Sequence, residues 1–481
     1  MSGRALRVDD HSFRFLVIGA GLAWAAAFPV AALFFKLQLY GDGAMFSYAV
    51  AVRDVWAFHW HNVSGRMSVY LLTLLPAETL VQFTGNPSAG IIAYGFLFYV
   101  LPLIGLAATY AADRSPGRVI FVYACGSTAL LCPLIFGFPT EMWLAHALFW
   151  PALALGHYAR PTVANAVLVF ATWLLLGFTH EGALVLLVAI TTTLALRGFR
   201  SAVFMRAVVS VTIIVALAAA AKIFVPPDSY YADAFLRAAL NFFDPAIFEV
   251  RIVLVLVAAI IAYAAIFMLL SHWLPRQACM VALGLVLGLL TVYWLRFDHS
   301  LHADSRYYLR TALVLAIPLL GALSTIVAMM KEGIDLKLVR LWHSLIARRR
   351  SLCALASIFI VVTMIHLVET KKFVASWVDY RDAVAALAMS AQSDPGLGDP
   401  RFVSAERIRP ALAALSWFST VPYLSIILSN FAPNRLVIDP AGNYFWLSCE
   451  TATKNRDAAL AVPAQTRELV RVYSCLHRPP R

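Results

Sequence analysis

Long runs of apolar residues dominate residues 1–370, and they constrain the fold more than any other feature. A membrane-spanning helix needs about 20 consecutive, mostly apolar residues, whereas the surface helices of soluble proteins carry a polar face. The chain is therefore predicted to be an α-helical polytopic membrane protein with about 11 transmembrane helices. The runs lie at 15–36, 89–111, 119–136, 142–157, 162–178, 183–196, 204–225, 250–271, 278–295, 311–330 and 352–368.

Composition excludes two other classes of protein. The chain is 61% hydrophobic and 13% charged, which fits neither an ordinary soluble enzyme nor a disordered protein. The net charge of +12 suggests nucleic-acid binding at first sight. The basic residues, however, divide between two sides of the predicted membrane, so the expected partner is the lipid bilayer and no nucleic acid.

The basic residues also set the predicted orientation. Sixteen Lys and Arg residues in short segments fall on one face if the run 67–83 does not cross the membrane. By the positive-inside rule, that face and the N-terminus are cytoplasmic and the C-terminus is outside. If 67–83 does span, the N-terminus lies outside, against its three arginines. Short loops and an Ala/Leu-rich composition suggest a bacterial inner membrane.

The chain divides into two predicted domains. Residues 1–370 form the transmembrane domain, whose first outer loop covers 37–88, and residues 371–481 form a small C-terminal periplasmic α/β domain. The charge-free segment 410–433 is expected to be soluble because of its prolines and serines, with a twelfth span as the alternative. Predicted helices and strands of the C-terminal domain are 374–392 and 459–469, and 435–439, 444–449 and 470–475, respectively.

The six cysteines fall into two groups. Cys449 and Cys475 lie in the C-terminal domain, where an oxidising compartment favours a disulfide; two unpaired thiols are the alternative. The other four lie in predicted spans and are expected to act as small, unpaired apolar residues. These are Cys125, Cys132, Cys279 and Cys353.

Candidate catalytic residues begin in the first outer loop. Asp42 lies between Gly41 and Gly43 just after the first span, where the glycines leave the backbone free to present a carboxylate. An aromatic stretch, 44–60, and the run 67–83 are typical of helices in the membrane interface, and Arg66 lies between them. The alternative for Asp42 is a turn residue.

Two tight corners and one denser loop add further candidates on the same predicted face. Glu141 precedes one span, and His180 and Glu181 lie between two others; helix capping is the alternative for these acids. In the loop 296–310, a pair of arginines one helical turn apart suits a phosphate, with lipid headgroup anchoring as the alternative. The loop candidates are Asp304, Arg306 and Arg310. The nearby histidines lack a clear third ligand, so no metal site is predicted.

These features resemble the GT-C superfamily of integral-membrane glycosyltransferases, and in particular GtrII-like and related uncharacterised bacterial membrane proteins. The resemblance is carried by Asp42 in LYGDGAMFSY, by the aromatic stretch up to HNVSGR and by the segment 67–83. It covers the architecture of residues 1–370 and not the C-terminal domain. Many members have two acids where this chain has only Gly41-Asp42-Gly43, which leaves any use of a divalent cation open.

The resemblance implies transfer of a sugar from a polyprenyl-phosphate-linked donor to a glycan or lipid acceptor outside the cytoplasm. Asp42 would be the general base, Glu141 and Glu181 would complete the catalytic site, and the donor phosphate would meet the arginines. The substrate-binding residues would be Arg66, His180, Asp304, Arg306 and Arg310. The alternatives are a transporter or flippase, a polymerase or ligase for lipid-linked glycans, and a non-catalytic envelope assembly protein.

Overall fold

The computed structural model describes residues 10–58, 66–132, 140–224, 251–275, 277–298, 304–333, 349–392, 394, 397, 400–413, 415–417 and 420–439. Side chains are described throughout these ranges except at 57–58, 304–313 and 349.

Helices make up about 81% of the structure. The longer helices form a bundle, and the short helices lie in the loop after the first helix and in the C-terminal region. In chain order they are α1 Asp10–Phe34, α2 Asp42–Val52, α3 Val55–Phe58, α4 Met67–Val69, α5 Leu75–Thr84, α6 Pro87–Ala112, α7 Val119–Leu131, α8 Met142–Tyr158, α9 Val163–Gly177, α10 Ala183–Ala195, α11 Ala202–Phe224, α12 Arg251–Trp273, α13 Ala278–Arg296, α14 Asp304–Lys331, α15 Arg349–Ala388, α16 Pro410–Ala413 and α17 Val421–Leu428.

Within the described residues, seven helices are long and apolar enough to cross a membrane, and three shorter ones are also apolar. This confirms the class of helical membrane protein, while the count of eleven spans stays a prediction. The seven long segments are Asp10–Phe34, Pro87–Ala112, Ala202–Phe224, Arg251–Trp273, Ala278–Arg296, Val314–Lys331 and Arg350–Ala388.

Small residues let the first crossing helices pack closely. A Cβ atom on Gly21 would lie 2.4 Å from the carbonyl oxygen of Cys125, and one on Gly105 would lie 2.3 Å from that of Ala147. Such close backbone approaches are typical of membrane helices, which gain stability from packing and not from excluding water. We call the end of the bundle that contains Phe34 and Met142 the upper end, and the other the lower end.

The helical stretch 67–84 lies along the upper end of the bundle. At its start, the Ser68 amide donates to the carbonyl of Phe178, 3.1 Å away, just beyond the C-terminus of α9. Near its end, Val81 and Ala77 pack against Gly90 in the first turn of α6. Both ends of this stretch therefore contact the same end of the bundle, as expected for a segment that does not span. A π-helical turn at Tyr70–Leu74 interrupts it.

Helix α15 joins the two predicted domains without a break. It runs for 40 residues, so the predicted boundary at 370 and the predicted helix 374–392 both fall within or at the end of one helix. At a rise of 1.5 Å per residue it is about 60 Å long, twice the thickness of a hydrocarbon core. Its upper half packs beside α1, because the Trp377 indole donates to the Phe35 carbonyl at 2.9 Å.

The described part of the C-terminal region packs against the upper end. Two short parallel strands, β1 Phe402–Ser404 and β2 Leu436–Ile438, pair in register, and β2 lies within the predicted strand 435–439. Helix α17 is eight residues long, too short to cross a bilayer, and it packs on α2 and α15. The predicted elements 444–449, 459–469 and 470–475 lie outside the described residues.

Two of the cysteines expected to be unpaired in fact form a disulfide. Cys279 near the start of α13 is bonded to Cys353 near the start of α15, with Cα atoms 6.4 Å apart. The expectation failed because helical packing at the lower end aligns residues 74 positions apart. Cys125 and Cys132 are buried thiols, as expected. Disulfides are rare in a reducing cytoplasm, so the redox state of this pair tests the predicted orientation.

Candidate functional site

The first two predicted site residues meet at the upper end. Arg66, from the loop after α1, forms a hydrogen-bonded ion pair with Glu141 at the start of α8. The Glu141 side chain makes no capping bond to its own helix. Its carboxylate is 7% exposed, where an ionised group requires a partner. The Glu141 carboxylate thus pairs with Arg66, while its position at the N-terminus of α8 also suits the helix dipole.

Glu181, in the corner between α9 and α10, joins the same group of charges. One carboxylate oxygen lies 3.7 Å from the Arg66 guanidinium, and the other lies 3.1 Å from Nζ of Lys222, near the end of α11. Four separate elements thus bring two cations and two carboxylates together. We call Arg66, Glu141, Glu181 and Lys222 the Arg66 cluster.

His180 lies beside this cluster as a neutral side chain. Its Nδ1 atom accepts a hydrogen bond from the Gly182 amide at 3.0 Å, so Nδ1 carries no proton. The 3.9 Å separation between Nδ1 and Glu181 is therefore not an ion pair. The bond to Gly182 shapes the corner that holds Glu181, and it leaves the proton on Nε2.

Asp42 is the first residue of α2, and its position depends on the glycine before it. Gly41 has φ 58° and ψ −134°, a conformation that side chains with a Cβ atom rarely adopt. Tyr94 of α6, which is 1% exposed, interacts electrostatically with both Asp42 and Glu141. Asp42 and Glu141 are therefore both within electrostatic range of the same phenol.

The approach of Arg66 follows from local backbone contacts. The residue precedes α4, and its carbonyl accepts from the Val69 amide at 3.0 Å. The bond from Ser68 to Phe178 then holds the first turn against the corner that contains Glu181. The chain thus fixes Arg66 next to two carboxylates that follow it by 75 and 115 positions.

Several predicted site residues are not placed by the structure. The backbone of Asp304, Arg306 and Arg310 forms the first turns of α14, but their side chains lie outside the described part. The predicted disulfide partners Cys449 and Cys475 also lie outside it. Their assigned roles stay predictions.

The sequence did not predict a second cluster of charged residues, which lies at the upper end. Arg251 at the start of α12 forms an ion pair with Asp298, and it holds Glu369 of α15 through bonds of 3.1 to 3.2 Å. Lys372 lies 3.2 Å from Asp298 and 3.5 Å from Glu369. We call these four residues the Arg251 cluster. The available signal was the charged sequence Glu369 to Lys372 directly after the apolar run 352–368.

A further buried acid, outside both clusters, lies in the helical stretch 67–84. Glu78 is 8% exposed, and its burial, together with the neighbouring carboxylate of Asp54, raises its pKa to about 7. Arg53 and a hydrogen bond from the Val55 amide oppose that rise in pKa without cancelling it. Near neutral pH, the protonation of Glu78 therefore affects the contact between the stretch 67–84 and the loop after α2.

No group of three or more His, Cys, Asp or Glu side chains suited to a metal ion occurs within the described residues.

Comparison with known proteins found no matching family model and no matching curated protein. The resemblance to GT-C glycosyltransferases therefore rests on the residues and architecture given above.

Proposed function

We propose that the protein is an integral-membrane glycosyltransferase that moves a sugar from a polyprenyl-phosphate-linked donor to a glycan or lipid acceptor outside the cytoplasm. The observation that carries the proposal is the convergence of Arg66, Glu141 and Glu181 at one end of the bundle, while Asp42 and Glu141 both interact electrostatically with Tyr94. These residues come from separate segments of the chain, and their meeting supports a shared site.

Asp42 is the proposed general base. An acceptor hydroxyl must lose its proton as its oxygen attacks the anomeric carbon, and a nearby carboxylate takes that proton. Asp42 is partly exposed, whereas the carboxylate of Glu141 is almost fully buried and held by Arg66. Of the two acids, Asp42 is thus the better placed to meet an acceptor that enters from the surface.

The cations of the Arg66 cluster suit the leaving group. When the bond from the sugar to the phosphate breaks, negative charge develops on the phosphate, and positioned cations stabilise it. Arg66 and Lys222 are held by Glu141 and Glu181, which fixes the two cations before a donor arrives. His180, Asp304, Arg306 and Arg310 are proposed to contact the substrates around this centre.

The proposed setting is a bacterial inner membrane, with the N-terminus in the cytoplasm and both the upper end and residues 371–481 in the periplasm. Long apolar helices support membrane embedding, and the distribution of short basic segments supports the orientation. In this arrangement the polyprenyl chain of the donor lies among the crossing helices and its phosphate lies at the interface.

The test is turnover of radiolabelled polyprenyl-phosphate hexoses by the purified full-length protein, read as release of polyprenyl phosphate. Asp42→Asn should lower the rate at least about 100-fold, the lower limit of a general base contribution. Asp382→Asn is the matched control, since Asp382 is an exposed acid that contacts only its neighbour Arg381 within the described residues. Equal rates for Asp42→Asn and wild type would contradict the base role.

The same assay separates a transferase from a transporter. A flippase moves the intact donor across a vesicle membrane and leaves the sugar-phosphate bond unbroken. Transporters also place charged groups near the middle of the membrane, whereas the Arg66 and Arg251 clusters lie at helix ends. Donor movement without cleavage would contradict the proposed transfer reaction.

A further inference from the structure

A groove of about 700 Å³ opens at the lower end of the bundle, far from the Arg66 cluster along the helices. It lies between α6 and α9, and the outer face of α8 forms its floor. This volume falls in the range of small-molecule sites. Two exposed arginines, Arg114 and Arg160, stand at its lower mouth.

The groove is apolar in depth and basic at its mouth. Leu148, Leu155 and Leu175 line the interior, and Asn165 joins the two arginines at the mouth. Its described lining contains no acidic side chain. From Leu148 to Arg160 along α8 the groove is about 18 Å deep, close to one leaflet of a hydrocarbon core about 30 Å thick.

Rigid turns hold both arginines in place. Asp113 accepts hydrogen bonds from the amides of Ser115 at 2.8 Å and Phe121 at 2.9 Å, which fixes the turn that carries Arg114. The Arg160 carbonyl accepts from the side-chain amide of Asn165 at 3.1 Å. Neither guanidinium group makes an ion pair within the described residues. The nearby acid Glu332 is paired with Arg197 at 3.3 Å instead.

We propose that this groove binds an anionic phospholipid, with the headgroup phosphate between Arg114 and Arg160 and one acyl chain along the floor formed by α8. Guanidinium groups bind phosphate through paired donors, and apolar walls of leaflet depth suit an acyl chain. Leu168, which lines the groove, is 50% exposed, as expected for a residue that faces lipid. The proposal does not depend on the transferase reaction.

The test is native mass spectrometry of the full-length protein in detergent, titrated with dioleoylphosphatidylglycerol or dioleoylphosphatidylcholine. The anionic lipid should bind about tenfold more tightly than the zwitterionic one, a difference that two charge-assisted contacts readily supply. Arg114→Gln combined with Arg160→Gln should remove that preference. Arg200→Gln, an exposed arginine at the same end but outside the groove lining, is the matched control.

A second variant tests the acyl part of the site. Ala108→Trp fills the groove from an exposed lining position and should weaken binding of both lipids while leaving the arginines intact. Equal affinity for the two lipids in wild type would overturn the proposal, as would unchanged preference in the double arginine variant. Competition by inorganic phosphate as strong as by the anionic lipid would show a simple anion site and would also overturn it.

Discussion

The Arg66 and Arg251 clusters have the same composition, one arginine, one lysine and two carboxylates, but they are built differently. The Arg251 cluster ties α12, the end of α13 and α15 together. The Arg66 cluster draws its members from loops and corners, and a further acid, Asp42, interacts electrostatically with Tyr94, as Glu141 does. The Arg251 cluster thus joins long helices, whereas the Arg66 cluster lies where short segments of the chain meet.

This difference indicates different roles. Asp298 and Glu369 are 4% and 7% exposed, and each contacts both cations of its cluster. In the Arg66 cluster the Lys222 side chain is 26% exposed, against 17% for Lys372 of the other cluster. The Arg251 cluster is therefore arranged for helix-helix cohesion. The Arg66 cluster leaves its lysine more accessible to a ligand.

The largest expected effect on stability is in the Arg251 cluster. Arg251→Met removes one of the cations that hold two buried carboxylates, and removing one partner of a buried ion pair costs about 3–5 kcal/mol. Thermal unfolding in detergent measures the change. Arg296→Met, at an exposed arginine near the same end of α13, is the control. Equal melting temperatures for Arg251→Met and Arg296→Met would contradict the structural role that distinguishes the Arg251 cluster from the Arg66 cluster.

A smaller stability effect, with loss of activity, is expected in the Arg66 cluster. Arg66→Met removes the ion pair with Glu141 but leaves Glu181 bonded to Lys222, so we expect about 1–3 kcal/mol of destabilisation. The double variant with Glu141→Gln should recover much of that stability and none of the donor turnover. Recovery of both would assign the pair a structural role only.

The sequence predicted the long apolar helices well because apolar runs depend on local composition alone. The membrane face that carries Asp42, Glu141 and Glu181 stays a prediction, which rests on the short basic segments. It did not predict the Arg251 cluster, because Arg251, Asp298 and Glu369 are distant in sequence and only helix packing brings them together.

The helix that crosses the predicted domain boundary has a related physical cause. The return of charges after residue 368 suggests a boundary, yet α15 continues to Ala388 because Lys372 and Glu369 find ion partners beside it. Apolar residues beyond them, such as Trp377, then pack on the upper end. Charge alone therefore does not end a helix when neighbouring segments compensate that charge.

Glu78 lies outside both clusters, and we expect it to make the stability of the protein depend on pH. Its pKa is about 7 in the folded protein against an ordinary value of 4.5, so the folded state binds its proton more tightly. The contribution of Glu78 to the free energy of unfolding should therefore be greatest below pH 4.5. It should fall as the pH rises towards 7. We expect a loss on the order of 1–2 kcal/mol, since one unit of pKa difference corresponds to about 1.4 kcal/mol.

Chemical denaturation of wild type and Glu78→Gln at pH 5 and pH 8 measures this contribution. The glutamine variant should lose most of the difference between the two pH values, since it cannot ionise. A difference that persists in Glu78→Gln would place the titrating group elsewhere, with the Arg66 cluster as the next region to test.

The smallest expected effect concerns how the loop that carries Arg66 is anchored. Gly85 ends α5 with φ 64°, and a Cβ atom there would meet no atom within 4 Å. Gly85→Ala should therefore cost only the backbone strain of a left-handed residue, about 1 kcal/mol. Gly284→Ala, at a helical glycine with equally open space, should instead stabilise slightly.

Because Gly85 positions the stretch 67–84 and not α12 or α15, donor turnover should fall while the Arg251 cluster stays intact, with unchanged protease resistance of α15. Loss of that resistance in Gly85→Ala would mean that the two clusters are mechanically coupled.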